Sequence, residues 1–397
     1  MKIKKVIYLT TYLNKNLSEK VGLPYYPAGL KKKDQLLEIL KVDYFSTDII
    51  FVTSFSRFHK FYSKPFKAKV KTHNIYFPFF FYFPFLNYII NPVFVLIKLL
   101  RLNRTKKVDY LVLYNTVFEN VIVAFIFKKL LRKNVKIIIQ YEDSFIYNTK
   151  GIKKYLNIFS HKLAEYIANG AIINSNNLKR VFKTKFYFLF RGILNPILKK
   201  NNLIKPFSLL NVLFTTNIDS IRGIDLLIDF FNNIKFSENL LHLNFQITGH
   251  GSIEKINELE DSISEYRNRG GKAKYHGFVS VDELSNLYDQ AHILLALQNP
   301  VLKFSEFCFP SKIIEYYNYN KPIITTNISD LSSDDFFNLE FIDYNIQSLL
   351  YSLIDHYNNY EYHLKLNKFN SKKMLNNISK EQSISGVYNF LNIILND

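Results

Sequence analysis

FCFPSKIIEYYNYNKPIITTN, residues 307–327, is the stretch on which the fold turns. Pro310 carries no backbone N–H, so it is tolerated where a helix starts and not inside one. A loop ending there predicts a short helix over 311–319, with Ser311 as its cap or first-turn residue. Asn320-Lys321-Pro322 then reads as a turn, and Ile323-Ile324-Thr325-Thr326 as a buried strand. Unpaired N–H groups at the helix mouth, with Lys312 beside them, attract an anion. Glu315 lies one turn further on the same face, where a carboxylate can accept two hydrogen bonds from a sugar diol. An anion at the helix mouth and a diol one turn in together describe a nucleoside diphosphate.

The same alternation extends outward from this stretch. Upstream, strands are expected at 209–215, 243–248, 274–277 and 293–296, with helices at 223–234, 253–268 and 281–291, the last capped by Ser280. Residues 195–207, NPILKKNNLIKPF, are polar, hold two prolines and read as a linker. Before them the pattern runs through strands at 6–10, 48–53, 74–77, 109–114, 135–140, 171–174 and 185–190. Helices are expected at 31–40, 92–104, 119–133 and 153–168, with a loop over 14–28. Unalternated apolar strands between helices indicate parallel sheets covered on both faces. The expected class is α/β, with two doubly wound Rossmann-like domains facing a cleft. The domains are 1–195, a linker 196–207, 208–375, and a C-terminal helix 376–397 that crosses back to the first domain.

The chain has 397 residues, 48% of them hydrophobic, enough for two sizeable cores. One cysteine, Cys308, excludes an internal disulfide framework and suits a reducing, cytoplasmic setting. The N-terminus, MKIKKVIYLTTYL, lacks a small-residue cleavage site and reads as a first strand. Residues 75–100 are intensely apolar, but Pro78, Pro84, Asn87, Asn91 and Pro92 interrupt the run of about 20 residues that a membrane span needs. The net charge is +19, and its lysines cluster before residue 200. Aromatic bulk beside Lys98, Arg101, Arg104, Lys106 and Lys107 is the composition of an interfacial membrane contact. Nucleic acid would also answer to the charge, but no recognisable module supports it.

Four further constellations carry candidate chemistry. Arg222-Gly223 stands where a strand and loop feed a helix, and a guanidinium there can grip a diphosphate. Gly249-His250-Gly251 is a Gly-x-Gly between strand and helix. His276-Gly277-Phe278 could bring backbone and an aromatic ring against a base. Glu142 and Asp143 end a strand in the first module, where a carboxylate could bind a hydroxyl or act as a base. No Asp-x-Asp, paired histidines or cysteine cluster at ligand spacing is present, so neither a metal nor a cofactor is expected. The negative charge of a leaving diphosphate then falls to Arg222, Lys312 and helix termini.

From these residues the chain resembles the group 1 (family 4) glycosyltransferases of the two-Rossmann, B-type fold. Residues 309–324 are similar to the family's Pro-Ser-Lys-(Ile/Leu)-x-Glu-Tyr…Gly-Lys-Pro-Val-Ile run, with Asn320 in place of glycine. Arg222-Gly223 takes the place of its Lys-Gly, while Asn217 and Thr216 stand for its other basic residue and its glycine. The resemblance implies that Glu315 holds the donor ribose and that Ser311 and Lys312 hold the phosphates. Asn217, Arg222, Gly249, Gly277 and Phe278 would complete the donor site. Glu142, Asp143 and Glu306 are its catalytic candidates. Phe307 occupies the family's usual glutamate position and Glu306 is shifted by one. Gly22 and Tyr25 fall in the loop that faces the acceptor. The implied reaction is metal-independent sugar transfer with retention from a nucleotide sugar to a glycan or lipid-linked acceptor. The implied setting is cell-surface polysaccharide synthesis at the inner face of the membrane. A degenerate binding module, or an epimerase or phosphorylase on the same fold, are the alternatives.

Overall fold

The computed structural model describes residues 3–21, 27–40, 45–52, 62–81, 86–142, 149, 151–194, 208–234, 241–331 and 339–397. The linker expected at 195–207 lies outside them, as do Gly22, Tyr25 and Asp143. The chain divides into two compact units: Met1–Gly192 with Lys380–Asp397, and Ile193–Ser379.

The first unit begins with β1 (Lys4–Thr10), α1 (Lys15–Val21), α2 (Pro27–Ile39) and β2 (Phe45–Phe51). Next come β3 (Tyr62–Ser63), β4 (Phe66–Val70), β5 (His73–Phe77), β6 (Phe80–Phe81) and α3 (Asn87–Thr105). It continues through β7 (Tyr110–Tyr114), α4 (Phe118–Ile126), β8 (Lys136–Tyr141), α5 (Ile152–Ile167), β9 (Gly170–Ile173), α6 (Leu178–Val181) and β10 (Phe186–Leu189). Its sheet runs β10-β9-β8-β7-β1-β2-β5-β4, parallel throughout except for the β4–β5 hairpin at one edge.

The second unit holds β11 (Leu210–Thr215), α7 (Ile224–Asn233), β12 (Leu243–Thr248), α8 (Ile253–Asn268) and β13 (Lys272–Tyr275). After these come α9 (Val281–Gln290), β14 (Ile293–Ala296), α10 (Lys312–Tyr317), β15 (Ile323–Thr326) and β16 (Glu340–Ile342). Helices α11 (Ile346–Asn358) and α12 (Tyr360–Asn377) close the unit, and α13 (Lys380–Asn396) returns to the first. The sheet order β13-β12-β11-β14-β15-β16 reverses direction between β11 and β14. Such a reversal opens a crevice at the carboxyl ends of the strands, where ligands of this architecture bind. Buried residues fill both faces: Val212, Phe214 and Phe245 on one side with α7 and α8, Leu213 and Leu294 on the other with α9 and α10.

Three expectations are corrected. Residues 15–21, expected as loop, form α1, because the Asn14 side chain accepts the Leu17 N–H at 2.9 Å and caps it. Helix α3 begins at Asn87, with Pro92 inside it. The side chain of Asn91, on that helix, pairs with both backbone groups of Phe81 (2.8 and 3.1 Å) and so ties α3 to β6. The β4 strand was not anticipated, although its apolar and charged residues alternate between half-buried and exposed positions. Among the described residues no helix is long and apolar enough to cross a membrane.

Glu119, at the start of α4, is fully buried. Burial pushes its carboxyl up to about 7, against a smaller opposing effect of its own backbone N–H. Between its unfolded value and pH 7 the folded chain therefore binds the extra proton, and stability falls as pH rises through that window. Each pKa unit corresponds to about 1.4 kcal/mol. Glu119→Gln should match the wild type near pH 4.5 and exceed it by roughly 3 kcal/mol at pH 8. Urea unfolding at the two pH values checks this, and a pH-independent difference would refute it.

Candidate functional site

The loops at the carboxyl edge of the second sheet are joined backbone to backbone. Gly223 adopts φ +82°, and a Cβ there would lie 1.5 Å from the Leu297 carbonyl oxygen. Gly249, at φ +155°, would place a Cβ 1.6 Å from the Thr216 carbonyl oxygen. The Ile218 N–H donates to His250 O at 2.8 Å, the Gly249 N–H to Gly277 O at 3.0 Å, and the Asn299 N–H to Ile221 O at 3.0 Å. The ends of β11, β12, β13 and β14 thus form one surface.

Arg222 stands on this surface. Asp219 accepts its backbone N–H at 2.8 Å, and its guanidinium donates to Gln298 Oε1 at 3.4 Å. The Gln298 amide nitrogen in turn meets the Cys308 sulfur. Gln298 was not anticipated, because a glutamine two residues beyond a strand has no sequence signature. Its backbone carbonyl accepts the Thr326 hydroxyl, which fixes the loop from β15.

Helix α10 carries Lys312 and Glu315. Ser311 is exposed and helical in conformation, with no side-chain cap bond, so it is a first-turn residue and not the cap. Glu315 Oε2 lies 3.4 Å from Lys312 Nζ. Its other oxygen accepts from the Tyr288 hydroxyl at 3.1 Å. Tyr288, buried on α9, is also 3.1 Å from Thr215 Oγ1, which lies 3.0 Å from the Tyr316 hydroxyl. The Tyr316 hydroxyl donates to Leu295 O at 3.0 Å. Burial, then the Glu315 charge, raises the Tyr288 hydroxyl well above its ordinary value, so it remains a donor. The expected left-handed turn after α10 is present, with Asn320 at φ +51°.

Other candidates are placed as follows. Asn217 is exposed in the loop after β11. Gly277 takes φ +66° with open space where a side chain would be. Phe278 is exposed and stands edge-on to His250, 5.6 Å between centroids. Glu306 lies in a 3-10 turn over Lys303–Phe307, with Oε2 2.6 Å from Lys303 Nζ.

In the first unit, Glu142 is buried at the end of β8. It accepts from Gln140 Nε2 at 2.6 Å and lies 3.5 Å from Lys32 Nζ. Its backbone N–H donates to Asn115 Oδ1 at 2.8 Å. Lys33, over the Tyr114 ring at 4.2 Å, donates to Thr11 O at 2.8 Å. Burial pulls Lys33 down to about 8, and the nearby Glu142 charge opposes that fall. Glu142 is therefore a charge-balanced carboxylate held in one orientation.

One further grouping has no counterpart among the expected site residues. Glu340, Asp355, His356 and His363 bring one candidate ligand atom each within 4.8 Å of one another. They come from β16, α11 and α12, so no single-helix spacing reveals them.

Comparison with known proteins agrees with this geometry. Residues 210–336 match the family model for glycosyl transferases group 1. No curated protein matches the chain. Among solved structures, the catalytic domain of starch synthase IV from Arabidopsis thaliana, bound to ADP and acarbose, aligns over 100% of both chains (11% identity, TM-score 0.70). Sucrose-phosphate synthase from Thermosynechococcus elongatus covers 98% of this chain and 99% of its own (11% identity, TM-score 0.69). Anabaena HepE in complex with UDP and glucose gives 98% and 99% (12% identity, TM-score 0.66). The chain has the two-Rossmann, B-type fold and is a glycosyltransferase. Within it, residues 210–336 are similar to the glycosyl transferases group 1.

The polar chain from Glu315 to Leu295 O makes a quantitative prediction. Tyr288→Phe and Thr215→Val should each destabilise the second unit by about 1–2 kcal/mol. Because they share one network, the double variant should depart from additivity by at least about 0.5 kcal/mol. A denaturation double-mutant cycle measures this, and strict additivity would disconnect the network.

Proposed function

We propose that the chain transfers a sugar from a nucleotide-sugar donor, with retention of anomeric configuration, to a glycan or lipid-linked acceptor of a cell-surface polysaccharide. One observation carries the donor half. Glu315 is aimed by Tyr288 and balanced by Lys312, on the same strand-end surface as Arg222. A carboxylate so held accepts the two ribose hydroxyls, while Arg222 and Lys312 neutralise the diphosphate as it leaves. Starch synthase IV with ADP and HepE with UDP are neighbours of this fold that bind nucleoside diphosphates. Positioned cations meet the leaving-group charge by themselves, so the reading invokes no cofactor. Glu142 and Glu306 remain the carboxylates through which the first-unit and donor-sugar contacts would run.

The acceptor half rests on the first unit. Ile89, Val93 and Ile97 are exposed on α3 at four-residue spacing, and Arg101 continues the same face. Arg104, Lys106 and Lys107 follow, all exposed. Helix α3 packs beside α4, and α4 beside α5. Helix α5 exposes Tyr155, Phe159 and Tyr166 next to Lys153, Lys154 and Lys162. Apolar side chains flanked by basic ones suit an anionic bilayer surface, and peripheral contact with the inner face of the membrane is part of the proposal.

Two experiments test the two halves. Against a panel of nucleotide sugars, Glu315→Ala and Arg222→Ala should each weaken binding of the preferred donor at least about tenfold in calorimetry, since each removes a charged hydrogen bond. Unchanged affinity in both would sink the donor assignment, and a product of inverted configuration by NMR would sink retention. The full chain should co-sediment with phosphatidylglycerol vesicles and release as salt rises. Replacement of Ile89 and Val93 by Ser with Arg101 and Arg104 by Glu should abolish that association. Equal sedimentation of this variant would overturn the membrane reading without touching the donor site.

A further inference from the structure

The cluster at the amino edge of the second sheet has no part in the donor site, whose loops occupy the carboxyl edge. Glu340 opens β16, Asp355 and His356 lie in the last turn of α11, and His363 is in the first turn of α12. His356 is buried and His363 half-buried, and their rings stack at 3.8 Å with 17° between planes. Glu340 Oε2 lies 3.4 Å from His356 Nδ1 and 3.8 Å from His363 Nδ1. The remaining bonds orient the group. His356 Nδ1 is 2.9 Å from Ser352 O, which places its proton there and leaves Nε2 with the lone pair. His363 Nε2 is 2.7 Å from Asp355 Oδ2, which leaves Nδ1 as its lone-pair atom. The Ser352 hydroxyl donates to Glu340, and Asn359 Nδ2 donates to Asp355 at 2.7 Å.

This is the second shell that metal-ligating histidines require: each ring donates its other N–H to a carbonyl or carboxylate. Glu340 and Asp355 bring two carboxylates to the two imidazoles, a charge that a dication would balance. Two imidazole nitrogens with carboxylate oxygens suit zinc, and hard cations such as magnesium poorly. Zinc bonds of about 2.0–2.2 Å require ligand atoms about 3.3 Å apart. The candidate atoms lie up to 4.8 Å apart and would have to draw together around the ion.

We infer that Glu340, His356 and His363, with Asp355 holding the His363 ring from behind, form a zinc site that fastens β16, α11 and α12 together. The ion would stabilise the second unit from the edge opposite the donor loops. The cluster is independent of the proposed sugar transfer, and its test does not use activity.

The test is titration of the full-length, metal-stripped chain with zinc chloride in calorimetry, paired with thermal unfolding. Wild type should bind one equivalent that the Asp355→Asn/His363→Gln variant lacks. At a zinc concentration one hundred times Kd its melting point should rise by roughly 5 °C, and the variant's should not. Melting in EDTA shows whether the variant folds like wild type. Glu340→Gln, made alone, should raise Kd at least about tenfold and serves as the second measure. Magnesium chloride should produce neither effect. Zinc stoichiometry and melting shift unchanged across the variants, or no binding to wild type, would overturn the site and leave a hydrogen-bonded histidine–carboxylate cluster.

Discussion

The close approach of Gly223 to Leu297 is the constraint on which the second unit's surface depends. Strands β11 and β14 are neighbours only because the sheet order reverses there. The loop leaving β11 must then turn into α7 against the backbone leaving β14. A side chain at Gly223 would occupy the position of a carbonyl oxygen, so the turn closes only without one. Gly249 does the same for β12 against the β11 loop. These contacts leave Arg222 beside Gln298 instead of out in solvent. Substitution at either glycine would separate the loops before it altered any charged residue.

Much of this architecture is legible in the residues. Unalternated runs such as Tyr110–Leu113 and Ile293–Ala296 are buried on both faces, as parallel strands between helix layers are. The capping box at Ser280 and Glu283 marks the start of α9 to the residue. Asn320 stands in for glycine because asparagine tolerates the left-handed conformation it adopts. What was not legible came from distant pairings. Asn14 capping α1 looked like loop composition, and Asn91 gripping Phe81 let α3 start ahead of its proline.

The site divides along the same line. Lys312, Glu315 and Arg222 lie in local motifs and were readable. Their supports were not: Tyr288, Thr215 and Gln298 come from three separate elements that only the sheet brings together. One physical signal was available for Tyr288. A tyrosine on the inward face of a helix needs a partner for its hydroxyl when buried. The histidine–carboxylate cluster was hidden for a similar reason. Its four members span three elements, so no fixed spacing links them.

The arrangement around Glu315 also explains why a six-residue helix can hold a functional carboxylate. So short a helix has little stability of its own and a weak terminal field. Its orientation is imposed from outside, by Ile313, Tyr316 and Tyr317 buried in the sheet's core and by Tyr288 reaching from α9. Tyr316 anchors to Leu295 O at the end of β14, the strand that leads on to Gln298 and hence to Arg222. The carboxylate and the guanidinium are thus referred to the same strand. Their separation is set by the sheet, the most rigid part of the unit, and not by either loop. A diphosphate and a diol on one ligand have a fixed spacing, and two groups indexed to one strand can match it without reordering when the ligand arrives.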